Sequence, residues 1–149
     1  MSATPPKRIL IATDGTPGGR AAVTEGLTLA RALEAAVTVV SVHPRVSPVA
    51  SPYSRRRFTE HLSVADATIE SALAEADSLG VPADSEIAEG DPPVEILGLA
   101  ERHGADMIVV GSRGLGALAG SLLGSVSRWL VTHADVPVLV VKERRGAIE

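Results

Sequence analysis

Three residues with little side-chain bulk and one arginine, Gly111-Ser112-Arg113-Gly114, are followed after nine residues by Gly124-Ser125. Glycines at the end of a strand let backbone come close to a ligand, and a Gly-Ser pair opening a helix offers unpaired N–H groups to an anion. The chemistry is that of a phosphate cradle. Its rivals fail on residue type or context. A P-loop needs a Lys after its second Gly, and no Lys occurs between Lys7 and Lys142. The run from Gly114 to Ala119 satisfies the loose dinucleotide pattern G-x-G-x-x-G/A, but it follows the fourth strand of the chain rather than the first. Asp135 precedes a strand, where a ribose-binding carboxylate should end one. Gly120-Ser121 and Gly124 lack the spacing of a nucleophile elbow, and Gly116 and Gly120 read as loop residues.

The elements that must position this loop follow from periodicity. Ile9 to Ala12 is an apolar run that breaks at Thr13-Asp14-Gly15, which predicts strand then turn. From Ala21, the apolar positions Val23, Leu27, Ala30 and Leu33 recur at helical spacing. Val37 to Val42 is apolar on both faces, as a strand inside a parallel sheet must be. Pro44, Pro48, Pro52, Tyr53 and the run Arg55-Arg56-Arg57 predict a mobile loop over 43–58, either a cover over the site or a place for a partner. Leu62 to Leu79 keeps one apolar helical face until Gly80 and Pro82. Ala83 to Ala88 reads as an edge strand with one wet face. Asp91, with Pro92 at the first helical position, starts a helix that Gly104 closes. Met107 to Val110 is a fourth strand, Leu123, Val126 and Leu130 mark a fourth helix, and Val136 to Val141 is a fifth strand. Alternating strands and helices predict parallel strands joined by right-handed crossovers in a doubly wound α/β sheet. Ligands of such sheets bind outside the carboxyl ends of the strands, where Thr13-Asp14, Val42 and the loop from Gly111 would meet.

Composition narrows the function. The chain of 149 residues has the length of one domain, 1–149, with residues 1–6 expected to be flexible. With 45% hydrophobic and 21% charged residues it should fold, and with aromatics at 2% its core must be aliphatic. The net charge of -4 and the lack of an aromatic platform argue against nucleic acid as a partner. There is no Cys, hence no disulfide, thiolate nucleophile or zinc-thiolate site. His43, His61, His103 and His133 fall on different elements with no i, i+4 pair, so no metal site is expected. No stretch approaches the roughly 18 apolar residues of a membrane span, so a cytoplasmic location away from membranes is expected.

The spacing Gly111, Gly114, Gly124 and Ser125 resembles the ATP motif of the universal stress proteins, Gly-x2-Gly-x9-Gly-Ser/Thr. The similarity runs from the strand ending at Asp14, through Gly90-Asp91-Pro92, to Gly124-Ser125-Val126-Ser127 and Pro137 to Val141. It implies a five-stranded sheet of the Rossmann-like, adenine nucleotide alpha hydrolase-like type, strand order 3-2-1-4-5, with helices on both faces. It also implies an ATP site. Ala12, Thr13 and Asp14 would line the adenosine side, with the Asp14 carboxylate on the ribose hydroxyls. Val42 would hold the adenine edge through its backbone. Gly111, Ser112, Arg113 and Gly114 would wrap ribose and phosphates, while Gly124, Ser125, Val126 and Ser127 would present helix donors to the phosphate chain. Mg2+ or Mn2+ would bind through the phosphates.

Phosphoryl transfer needs charge stabilisation and a positioned nucleophile. Beyond Asp14 no second acid, His or Lys is placed near the phosphate end, so no residue is assigned a catalytic role. The residues favour holding ATP with slow or no turnover, and the resemblance implies a regulatory role in stress, dormancy or energy-limited growth. The alternatives are an ATP-hydrolysing or nucleotidyl-transfer enzyme that borrows a group from a partner, and an interaction module with an empty site. The last strand is apolar on both faces at a sheet edge, which predicts a homodimer through antiparallel contact of Val136 to Val141.

Overall fold

The computed structural model describes residues 4–45, 49, 51–113 and 123–143. The strands are β1 (Arg8–Ala12), β2 (Ala36–His43), β3 (Ala83–Glu89), β4 (Met107–Gly111) and β5 (Val138–Val141). Between them lie α1 (Pro17–Leu33), α2 (Pro52–Leu79), α3 (Pro92–Arg102) and α4 (Ser125–His133). The sheet is wholly parallel with order β3-β2-β1-β4-β5, as expected.

Side chains alternate across each strand, and this alternation divides the core in two. Ile9 and Ile11 of β1, with Val37, Val39 and Val109, face Leu27 of α1 and Ile69 of α2. Leu10, with Val40, Ile108 and Val110, faces Ile96 and Leu99 of α3 and Leu130 of α4. With so few aromatics, the helices must come close to the sheet. Ala22, Ala30, Ala72 and Ala76 are buried there, and a Cβ on Gly26 would stand 2.6 Å from Ile11 Cδ1.

Two helices begin earlier than periodicity suggests, and capping is the reason. In α1 the Thr16 hydroxyl accepts from the Gly19 N–H at 3.2 Å, with Pro17 in the first turn. In α2 the Ser51 hydroxyl accepts from the Ser54 N–H at 3.2 Å, with Pro52 next. The expected loop over 43–58 is therefore corrected: β2 reaches His43 and residues 52–58 are helical. Proline breaks a helix interior but suits its first turn, where its missing N–H costs nothing. Residues 46–48 and 50, residues 1–3 of the start expected to be flexible over 1–6, and the tail beyond 143 lie outside the described residues. β3 is an edge strand with exposed Asp84 and Ser85, and β5 starts at Val138, two residues later than its apolar run. Among the described residues no helix is long and apolar enough to cross a membrane.

At the end of β2 the His43 imidazole is partly buried, its Nε2 3.4 Å from the Ser41 hydroxyl. Burial pushes its pKa below the ordinary value, and His61 acts in the same direction against Glu89 and Asp66. A histidine lowered in the folded chain binds more protons when unfolded, so stability falls with falling pH. The contribution is present in full above the unfolded value of 6.5 and is lost as pH drops through it toward the lowered folded value. Urea unfolding at about pH 7.5 and about pH 5.5 should show a smaller loss for His43→Asn than for the wild type. Equal losses would contradict the assignment.

Candidate functional site

The strand order reverses between β1 and β4: α1 leads from β1 toward β2, and the chain returns to place β4 on the other side of β1. A crevice opens at the carboxyl end of such a reversal. Here it is a cavity of about 550 Å³, within the range of small-molecule sites. Of the residues anticipated from sequence, Ala12, Thr13, Asp14 and Val42 line one part of its wall. Gly111, Ser112, Arg113, Gly124, Ser125, Val126 and Ser127 line another. Gly114 lies outside the described residues.

The wall near Asp14 is built by the turn after β1. Thr13 is buried, its N–H bonded to the Val40 carbonyl at 3.0 Å, which carries the β1–β2 ladder one residue past Ala12. Asp14 Oδ1 accepts from the Thr16 N–H at 3.0 Å and from the Thr16 hydroxyl at 2.5 Å. One threonine thus starts α1 and aims the carboxylate.

Val42 is placed by strand parity. Within a strand, a residue's N–H and C=O point to one side and those of the next residue to the other. The Val40 carbonyl bonds toward β1 and the His43 carbonyl bonds the Gly90 N–H beyond β3. Val42 therefore points its N–H and C=O to the β1 side, where β1 has already ended, into the crevice.

The glycine loop has a different logic from the one its composition suggests. A Cβ on Gly111 would stand 2.8 Å from the Gly18 carbonyl oxygen, and one on Gly18 would stand 2.5 Å from the Arg113 carbonyl oxygen. Bare backbone is required there because the first turn of α1 lies against the end of β4. The expected freedom of the loop amides is also partly used. The Gly124 N–H donates to the Ser112 carbonyl at 2.5 Å, and the buried Ser127 hydroxyl reaches the same carbonyl and that of Gly124, both at 3.1 Å. The Ser112 N–H donates to the Val141 carbonyl at 2.8 Å. Ser112 and Ser127 therefore lock β5, the loop and α4 together.

What remains for an anion is the first turn of α4. Its N-cap, Gly124, has no side chain, and no side-chain acceptor caps the turn of Ser125, Val126 and Ser127. Asp91 at the start of α3 also makes no side-chain cap, but that helix opens with Pro92-Pro93, which have no N–H to offer. α1, whose Gly19 also lines the cavity, is capped by Thr16, so α4 is the uncapped helix end there, and its positive dipole end favours an anion. Arg113 and Arg128 add cationic side chains to the wall. Val40, Val110, Ile96, Pro44 and Pro92 supply the apolar part of the wall.

Arg128 was missed from sequence, although it stands three residues after Ser125 and so shares that helix face. Pro44, Pro92 and Ile96 were also missed. Pro92 and Ile96 could have been found from the rule that helices following parallel strands begin at the carboxyl edge. Among the described residues, no group of three or more His, Asp or Glu is arranged to hold a metal ion.

Comparison with known proteins agrees with this architecture along nearly the whole chain. The Universal stress protein family model matches residues 5–142. The stress response protein NhaX of Bacillus subtilis is 32% identical, over 91% of this chain and 97% of its own. The structure of hypothetical protein MJ0577 superposes with a TM-score of 0.81 at 27% identity, covering 94% of this chain and 98% of that one. A universal stress protein family member from Arabidopsis thaliana, solved with AMP bound, gives 0.63 at 26% identity, with 97% of both chains covered. With the fold, the crevice and a match spanning residues 5–142 in agreement, the chain belongs to the universal stress protein family.

Proposed function

We propose that the cavity binds ATP, and that the protein is a cytoplasmic regulator of the stress response which holds the nucleotide with slow or no hydrolysis. The observation that carries this reading is the mixed lining of one cavity: the Asp14 carboxylate, an uncapped helix N-terminus, two arginines and a set of apolar residues. Asp14 accepts from the ribose hydroxyls, since an ionised carboxylate can only accept. The N–H and C=O of Val42 match the acceptor and donor on the edge of adenine. Ser125, Val126 and Ser127 offer backbone N–H groups to the phosphates, and Arg113 and Arg128 neutralise charge there. The AMP held by the Arabidopsis relative supports an adenine nucleotide as the ligand class. Mg2+ or Mn2+ would enter on the phosphates. The position of Gly114, between Arg113 and the rest of the loop, suits the same motif.

Turnover is not favoured by the residues of the cavity, whose wall offers arginines and hydroxyls but, apart from Asp14, no carboxylate or histidine among the described residues. Mass spectrometry of the small molecule released on denaturing the purified protein should find intact ATP, and single-turnover assays should release phosphate slowly or not at all. Rapid, saturable release would overturn the binder reading. Asp14→Asn keeps an acceptor for Thr16 and removes the charge. It should weaken ATP binding about tenfold to a hundredfold, the worth of charge-assisted hydrogen bonds of about 1.5–3 kcal/mol. Unchanged affinity by calorimetry would count against the ribose assignment. Gly111→Ala is a poor test, because its methyl group would strike the Gly18 carbonyl whether or not nucleotide binds.

We also propose a homodimer through β5. The carbonyls of Pro137 and Val141 accept from Ile108 and Ser112 on the β4 side, so by parity Val138 and Val140 point their N–H and C=O groups outward along an open edge. Val140→Pro removes one outward donor and leaves the β4 ladder its bonds. In sedimentation the variant should lose one association step, its mass falling by half. An unchanged mass would rule out the β5 edge as the contact.

A further inference from the structure

The longest helix extends well past the sheet it covers. Of the 28 residues of α2, the buried ones are Ala65, Ile69, Ala72 and Ala76, and none precedes the midpoint at Ala65. The helix is level with the carboxyl edge of the sheet near Val64 and Thr68, which are the neighbours a Cβ on Gly15 would meet just beyond β1. The end of β2 is level with the helix at His61 and Asp66, which act on His43, so the nine residues 52–60, about 14 Å of helix, rise past the strands that α2 covers. Phe58 and Leu62 continue the inner stripe of Ala65 and Ile69 and are half-buried, whereas Tyr53 and Val64 are 67% and 56% exposed.

Charge along α2 is segregated. The protruding half carries Arg55, Arg56 and Arg57 against Glu60, all exposed, in a chain whose net charge is -4. The half on the sheet carries Asp66, Glu70, Glu75 and Asp77 and no Lys or Arg. Asp66, Glu70 and Asp77 are exposed, so the acidic face is open to solvent. A helix that is basic in one half and acidic in the other is complementary to itself when turned end for end. Two-fold symmetry supplies that reversal, since each subunit then presents the same patch to the other.

We propose that α2 is a second self-association surface, on which two copies of this chain pair along antiparallel α2 helices. The protruding basic half of one copy lies over the acidic outer face of the other. Tyr53 and Val64 supply apolar area. Exposed Ala67, Ser71 and Ala74 follow Val64 at spacings of three, four and three, and their short side chains leave room for the approaching helix. Surface ion pairs contribute little each, so here the charges fix orientation and register while the apolar contacts hold the pair. The surface lies away from β5: α2 packs on β2 and β3, and β5 is the opposite edge of the sheet. A chain using both contacts would assemble beyond a dimer.

Charge exchange in the Val140→Pro background, where the β5 edge is blocked, tests the pairing. One variant carries Arg55→Glu, Arg56→Glu and Arg57→Glu, which makes α2 acidic throughout. The other carries Asp66→Lys, Glu70→Lys and Asp77→Lys, which makes it basic. By sedimentation at low salt each variant alone should have half the mass of the parent, and an equimolar mixture should recover the parental mass. High salt should dissociate both the parent and the mixture. A parent no heavier than either variant, or a mixture that fails to recover, would overturn the proposal. Should a triple change unfold the chain, the single exchanges Arg56→Glu and Glu70→Lys give the same readout.

Discussion

The first turn of α1 rests on the end of β4 with no side chain between them, and the rest of the site depends on that contact. Gly18 and Gly111 meet backbone to backbone, and any Cβ at either position would overlap a carbonyl group. The close approach sets where β1 turns and brings Gly19 against Thr13 and Asp14, where a Cβ would stand 2.6 Å from the threonine hydroxyl. It also sets where the chain leaves β4 and therefore where Ser112 can gather β5, the loop and α4. Side-chain identity matters less in this crevice than the absence of side chains at two points.

The fold was legible because each of its main signals is local. Runs such as Val37 to Val42 and Met107 to Val110 can be buried on both faces only in a covered parallel sheet, and the alternation with helices then leaves few topologies. The residues gathered at the carboxyl edge were legible for the same reason. The start of α2 was obscured because proline reads as a breaker until the capping serine before it is recognised. Ser51 has the same outward appearance as any loop serine, and only its bond to Ser54 distinguishes it.

The glycines show where sequence reasoning meets its limit. By residue type alone, Gly111 and Gly124 are bare backbone open to a ligand. In the folded chain Gly111 accommodates α1, and the Gly124 amide is bonded to Ser112. Packing partners 93 residues apart in sequence, such as Gly18 and Gly111, leave no local trace in either segment. The uncapped start of α4 beyond Gly124 was legible, because it can be read from the neighbouring residue types alone.

The orientation of Val42 has a consequence for how this crevice can change over time. The groups it turns toward the crevice belong to the main chain, so substitution at position 42 alters the wall but erases neither the donor nor the acceptor, proline excepted. Drift at this codon is thereby decoupled from the hydrogen-bonding pattern the crevice displays. A different pattern would require the strand to slip by one residue, which would turn the interior faces of β2 outward and undo both halves of the core. What this part of the molecule presents is inherited with the fold itself rather than with any one residue.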